Sequence, residues 1–278
     1  MGTIRYGTSS WSEKSWAGVF YPADLKPAEY LSVYASRFDT VEGDSTYYRT
    51  PTPAAVAGWR QRTSEGFVLS AKFPRSIVHG GAGEKPDPAR LLVPEHTAAE
   101  VDRFLAAMAM LGPKCGPLVL QFPYFNREAF PSAAPFLERL EGFLGRLPGQ
   151  FRYAVEIRNK AWVTEELLGL LRGHRVAFVL VDLLYMPHPA DLAAELDLVT
   201  TDFSYARLIG DRKAVEAKTA TFDHIVIDQS GRLERWAGLL RDVAERTAVT
   251  YAYANNHYAG HGPATIEELR RRVGEGAG

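Results

Sequence analysis

At 278 residues the chain exceeds the common size of one domain, but barrels of alternating strands and helices reach about 250 residues as one unit, so one large domain is expected. An apolar fraction of 46% with 23% charged residues can bury a sizeable core, which excludes disordered and fibrous classes. With 32 Lys and Arg against 33 Asp and Glu, the net charge of -1 supplies no field to gather nucleic acid or an anionic membrane, and a nucleic-acid partner is disfavoured unless a local basic patch provides for one.

The opening MGTIRYGTSSW lacks the basic stretch and apolar run of a secretory signal, and Tyr6 breaks the myristoylation pattern. Strand-length apolar segments then alternate with stretches of helical spacing. The first strand covers residues 4–7, before a helix opened by Pro27; the second covers 40–42, before a helix opened by Pro53. The third, at 67–71, runs into a structureless stretch from 74 to 96 containing HGGAGEKPDP, which reads as a lid over the barrel mouth, and then into a helix beginning at Thr97. Strands at 118–121 and 153–157 precede helices at 133–147 and 164–172. The sixth strand, at 176–181, leads to a poorly defined helix near 191–195. The seventh and eighth, at 205–209 and 249–254, precede helices at 233–247 and 265–273, and the tail GEGAG should fray. Runs such as FVLSA, LVLQF and AFVLV are continuously apolar, as strands covered on both faces are. Eight such units favour a closed (β/α)₈ TIM barrel over an open doubly wound sheet.

No apolar run nears the ~20 residues needed to span a bilayer. The single Cys115 sits in LGPKCGPLVL and reads as a buried, inert thiol. Together these predict a cytoplasmic protein with no membrane partner; nothing in the sequence signals an oligomeric state.

In barrels of this type chemistry gathers at the C-terminal ends of the strands, and here every strand ends in a polar group. Ser9, Ser10 and Trp11 follow the first strand, Glu42, Asp44 and Ser45 the second, and Lys72, Arg75 and His79 the third. Gln121 and Tyr124 come from the fourth, Glu156 and Arg158 from the fifth, Asp182 from the sixth, Arg207 from the seventh, and Asn255, Asn256 and His257 from the eighth. Glu42 and Glu156 each follow a short apolar pair, in TVE and AVE, and a buried or like-charged carboxylate is raised toward the range of a general acid or base. Lys72, Arg75, Arg158 and Arg207 give the pocket anion-binding character, unless they serve only to neutralise Glu42, Glu156 and Asp182. Trp11 and Trp162 are candidate pocket walls.

The sequence also resembles the YecE-like family, the domain of unknown function seventy-two. The resemblance rests on GTSSW at 7–11, GVFYP at 18–22, TVEGDSTYYRTP at 40–51, GFVLSAKFPRSIVH at 66–79, LGP at 111–113, LVLQFP at 118–123, AVEIRNKAW at 154–162, YARLIG at 205–210 and YAYANNHYAGHGPATIEEL at 251–269. It covers essentially the whole chain in order, and it implies a barrel of this kind in a family without an established activity. Glu42, Lys72, Gln121, Glu156, Arg158, Arg207, Asn255 and Asn256 match the pattern. The family usually has Asn where this chain has Asp44, His where it has Ile209, and an Arg-His-Pro-Ser-Trp-like run where it has RNKAW; Ile209 removes one ligand or proton shuttle.

The expected function is an enzyme acting on a small polar anionic molecule, such as a phosphorylated or carboxylated sugar. Glu42, Glu156 and Lys72 are the catalytic candidates, Lys72 also as a Schiff-base lysine if desolvated. Gln121, Arg158, Asp182, Arg207, Asn255, Asn256, His79 and Trp11 are the substrate-binding candidates. No cofactor is expected. An alternative is a metal-assisted phosphodiesterase or nucleic-acid-processing barrel, with a divalent ion on Glu42, Glu156, Asp182 and His79 or His257, although HExxH and paired CxxC motifs are absent. A non-catalytic ligand-binding protein is the third reading.

Overall fold

In the computed structural model, which describes residues 2–81, 83 and 85–275, the strands are β1 (Thr3–Thr8), β2 (Thr40–Gly43), β3 (Val68–Lys72), β4 (Cys115–Gln121), β5 (Tyr153–Glu156), β6 (Ala177–Leu183), β7 (Phe203–Gly210) and β8 (Val249–Ala254). They form one parallel sheet in the order β1-β8-β7-β6-β5-β4-β3-β2, which brings the first two strands together and makes a nearly closed (β/α)₈ barrel. Their interleaved helices are α1 (Tyr30–Tyr34), α2 (Pro53–Gln61), α3 (Arg75–Val78), α4 (Pro94–Ala109), α5 (Ala134–Leu144), α6 (Glu165–Gly173), α7 (Pro189–Ala193), α8 (Arg212–Glu216), α9 (Ser230–Arg246), α10 (Asn256–Ala259) and α11 (Gly262–Glu275).

The seam between β1 and β2 closes through a side chain. The Thr8 N–H donates to the Tyr34 hydroxyl at 2.7 Å, and that hydroxyl donates to the Thr40 carbonyl at 3.2 Å. Close approach there requires Gly7, because a Cβ at that position would lie 2.2 Å from the Thr40 carbonyl oxygen.

All eight expected strands are present, most with longer bounds. β4 begins at Cys115 rather than at 118, running through Gly116 and Pro117. Leu69 pairs Cys115 while Ala71 pairs Leu118, so β4 carries one extra residue, a bulge where proline is tolerated and where Gly116 makes room for Ser70. The stretch expected to lack structure, 74–96, is partly helical: α3 follows Pro74, and Pro94 starts α4 earlier than Thr97. Ile77, Val78, Leu91 and Leu92 are buried there and anchor both ends, while Ala82 and Glu84 at the centre of the expected lid lie outside the described residues. α11 continues through Glu275, and the last three positions of the expected frayed tail likewise lie outside them. No described helix is long and apolar enough to cross a membrane.

Partners across a parallel ladder share a face of the sheet, and successive residues alternate. Glu42 pairs Ser70 and so shares a face with Lys72; Lys72 pairs Val119, and Gln121 pairs Glu156. Val181 pairs Arg207, whereas Asp182 pairs Leu208. Register thus divides the polar strand ends between the barrel interior and its outer, helix-covered surface.

Candidate active site

Arg207 is the centre of the interior cluster, with only 2% of its surface exposed. Its Nη1 donates to Gln121 Oε1 at 2.8 Å and to Glu156 Oε2, and its Nη2 donates to Glu42 Oε1 at 2.9 Å. Its Nε lies 2.9 Å from Glu42 Oε2, a charge contact whose angle does not make a hydrogen bond. Glu42 also accepts from the Tyr205 hydroxyl at 2.8 Å and has Lys72 Nζ at 3.5 Å. Lys72 in turn pairs with Asp44, and Glu156 accepts from Arg158 Nε at 2.8 Å. Three carboxylates and three cations, drawn from β2, β3, β5, β7 and the turns after them, therefore neutralise one another.

Burial alone would oppose ionisation of Glu156, but the charges and hydrogen bonds of Arg207 and Arg158 outweigh it and bring the carboxyl down from 4.5 to about 2. Burial likewise opposes the charge on Arg207, and Glu156 and Glu42 reverse the effect and raise its pKa. For Asp44 burial is again the largest influence, but Lys72 and then Arg207 and Arg158 hold it below the usual carboxylate range. Tyr205 is pushed well up by burial and by Glu42, so it stays a neutral donor beneath that carboxylate. A second interior knot lies below: the Tyr253 hydroxyl is 2.7 Å from Thr40 Oγ1 and 2.8 Å from Ser70 Oγ.

The network is sealed below and open above. Glu42 and Glu156 have no exposed side-chain surface, whereas the side chains of Arg158 and Asp44 are 24% and 42% exposed. Tyr47 borders this opening: Lys72 Nζ is 6.0 Å from its ring centroid and its hydroxyl is 2.7 Å from His79 Nε2. Burial raises the Tyr47 hydroxyl, and the charges of Arg158 and Arg75 oppose it.

Of the residues expected at the site, Glu42, Lys72, Gln121, Glu156, Arg158 and Arg207 meet in this network, and His79 reaches its edge through Tyr47. Asp182 does not join them. It lies on the outer face, where it binds Arg232, accepts from Trp236 Nε1 and the Tyr258 hydroxyl, each at 3.0 Å, and has His188 Nε2 at 3.6 Å. It ties the sheet to α9 and α10. Asn255 caps α10, its Oδ1 accepting from the His257 N–H at 2.9 Å, and Asn256 Oδ1 accepts from the Gly262 N–H at 2.8 Å; both shape the turn into α11. Trp11 packs edge-on against Trp59 at 5.7 Å, and buried Trp162 stacks against both Phe125 and Phe136, which also touch each other, so the ring contacts of both tryptophans are with other aromatics. Ile209 lies two residues beyond Arg207 on the same strand, partly buried against the core.

Tyr205 and Tyr47 are members the strand-end pattern did not single out, and Asp44, which it did include, joins through Lys72. Tyr205 was within reach of it, since a residue two before an inward Arg207 must also face inward. Among the described residues no three His, Cys, Asp or Glu side chains converge in a metal-holding arrangement.

A family model described as "Protein of unknown function DUF72" matches residues 5–278. The UPF0759 protein YecE of Escherichia coli strain K12 is 32% identical over 173 residues, covering 61% of this chain and 54% of that protein, and the O157:H7 protein gives the same figures. The chain thus spans about half the length of the curated relatives it matches. A DUF72 family protein from Thermotoga maritima superposes with a TM-score of 0.69 at 24% identity, covering 98% of this chain and 99% of that one. A DUF72 family protein from Enterococcus faecalis gives 0.71 at 18% identity, covering 98% and 96%. Both share the barrel, and with the family match extending over nearly the full length, this chain belongs to the DUF72 family of proteins of unknown function.

Proposed function

We propose that the mouth is the active site of an enzyme acting on a small polar anion, such as a phosphorylated or carboxylated sugar. The observation that carries this reading is the pairing of Lys72 with Asp44, a carboxylate on the turn after β2 and open to the mouth, above a sealed layer of Glu42, Arg207 and Glu156. Asp44 occupies the cation that an incoming anion would take, and displacing it would leave the substrate on Lys72 and Arg158 with two buried carboxylates beneath. Glu156, held ionised by two arginines, is suited to fixing the Arg207 charge rather than to donating a proton near neutrality. Glu42, which touches both Lys72 and the Tyr205 hydroxyl, is the better placed to move one. The reaction class that fits is proton transfer in a hydrolase, isomerase or lyase without a cofactor. The lone, largely buried Cys115 supports a reducing, cytoplasmic setting.

The metal-assisted alternative draws less support, because Glu42 and Glu156 are already bound by cations and Asp182 lies on the other face. The test is a panel of sugar phosphates, sugar acids and uncharged sugars, screened for thermal stabilisation and turnover with wild type, Lys72→Met and Glu42→Gln. Anions alone should stabilise the wild type, Lys72→Met should lose that response, and Glu42→Gln should keep it without turnover. Equal response to uncharged sugars would overturn the anion reading; stabilisation without turnover of any anion would leave a binding protein.

A further inference from the structure

Building on that reading, we infer that the anion carries a ring, laid against Tyr185, while its charged group sits on Arg158. The first support is where exposed apolar surface lies. Among the described residues, six of the seven exposed large hydrophobic or aromatic side chains occupy segments that leave the C-terminal ends of strands, and only Met110 does not. Three of the six are tyrosines: Tyr48 after β2, Tyr124 after β4 and Tyr185 after β6, at 70%, 59% and 50% exposure. Confinement of exposed rings to the mouth face is what a site that stacks a ligand produces; packing of the barrel alone would leave such residues on either end.

The second support is the position of Tyr185. It stands two residues beyond β6, the strand beside β5, which delivers Glu156 and Arg158. Burial raises its hydroxyl, and the next strongest influences on it are the charges of Arg158 and Glu156, as its place beside the end of β5 requires. Arg158 gives its Nε to Glu156 and also bonds the Tyr185 hydroxyl, and the N–H donors that its Nη groups keep are the recognition fork for a phosphate or carboxylate. A ring lying on Tyr185 and joined to that anionic group describes a nucleotide or a sugar phosphate. The net charge of -1 favours the small molecule over a nucleic-acid strand.

Stacking of a ring on an aromatic side chain is worth about 1–3 kcal/mol, roughly fivefold to 150-fold in affinity. The test is calorimetric titration with inorganic phosphate, AMP, glucose 6-phosphate and adenosine, using wild type, Tyr185→Leu, Tyr185→Phe and Arg158→Met. At least one ring-bearing phosphate should bind tighter than inorganic phosphate, Tyr185→Leu should weaken it roughly tenfold without changing phosphate binding, and Tyr185→Phe should restore it. Preference for AMP assigns a planar base, and preference for glucose 6-phosphate assigns a sugar. Ring-bearing phosphates that bind no tighter than inorganic phosphate, or a Tyr185→Leu variant that binds them normally, would overturn the ring inference and leave the anion reading standing. If no anion binds wild type better than Arg158→Met, the anion reading falls and takes this one with it.

Discussion

Arg207→Met is the perturbation that most directly probes the interior network. The Met side chain is unbranched and uncharged and ends about where Nε lies, so the substitution removes the partner shared by Glu42, Glu156 and Gln121 while keeping the aliphatic stem. Breaking a buried ion pair by removing one partner costs about 3–5 kcal/mol, because a desolvated charge is left behind. Here two are left, with Lys72 at 3.5 Å from one and Arg158 at 2.8 Å from the other as residual compensation. The expected loss is therefore about 3–5 kcal/mol, a fall in Tm of roughly 6–20 °C for a chain of this size. Acid supplies the second readout. Glu156 titrates in the folded protein at about 2 against an ordinary 4.5, so in the wild type its stabilisation is complete above the higher value and is lost as pH falls toward the lower. That interval is worth about 3 kcal/mol. Without Arg207 the carboxyl's pKa rises, the same contribution shrinks, and the variant loses less on acidification. Calorimetric melting of both proteins from neutral to acid pH should show a gap that narrows. A variant within about 1 kcal/mol of wild type at neutral pH, or a gap that does not change with acidification, would refute the network as drawn.

Four further outcomes are expected elsewhere in the barrel. Tyr34→Phe leaves the buried Thr8 N–H and the Thr40 carbonyl without the bridging hydroxyl and should cost about 1–3 kcal/mol in denaturant unfolding. Gly7→Ala, at the same seam, should be worse, because the new methyl group meets the Thr40 carbonyl oxygen. Arg175 holds φ at 55° just after α6, where its N–H closes onto the Arg172 carbonyl at 3.0 Å, so Arg175→Gly should stabilise the protein by about 0.5–1 kcal/mol in the same assay. Burial pushes the Cys115 thiol up to about 12, and alkylation of the native protein in mildly alkaline buffer should therefore be far slower than after unfolding.

How much of the site was legible depends on one variable that the sequence hides. Composition and alternation were enough to find the strands, because a parallel barrel strand is apolar on both faces and stands out against its flanking turns. That same feature erases the face. In AFVLVDL every residue but Asp182 is apolar, so nothing local distinguishes an inward carboxylate from an outward one, and Asp182 reads like Glu42. Pairing removes the ambiguity: Val181 opposite Arg207 fixes Asp182 on the helix side, where Arg232 from α9 satisfies it. Register is a long-range property, since the two strands that share it are joined by a crossover rather than a hairpin. The asparagines after β8 illustrate a second limit. Asn255 and Asn256 sit at a strand end and match a family pattern, yet their carboxamide oxygens are used by the backbone of the turn that follows. A polar residue at a strand end can serve the pocket or the turn, and only the donor opposite it decides which. Charge balance is the more transferable clue. Glu42, Glu156 and Asp44 match Lys72, Arg158 and Arg207 in number, and a dry interior tolerates such groups only when they meet. Inward-facing cations therefore predict where the inward-facing carboxylates must be.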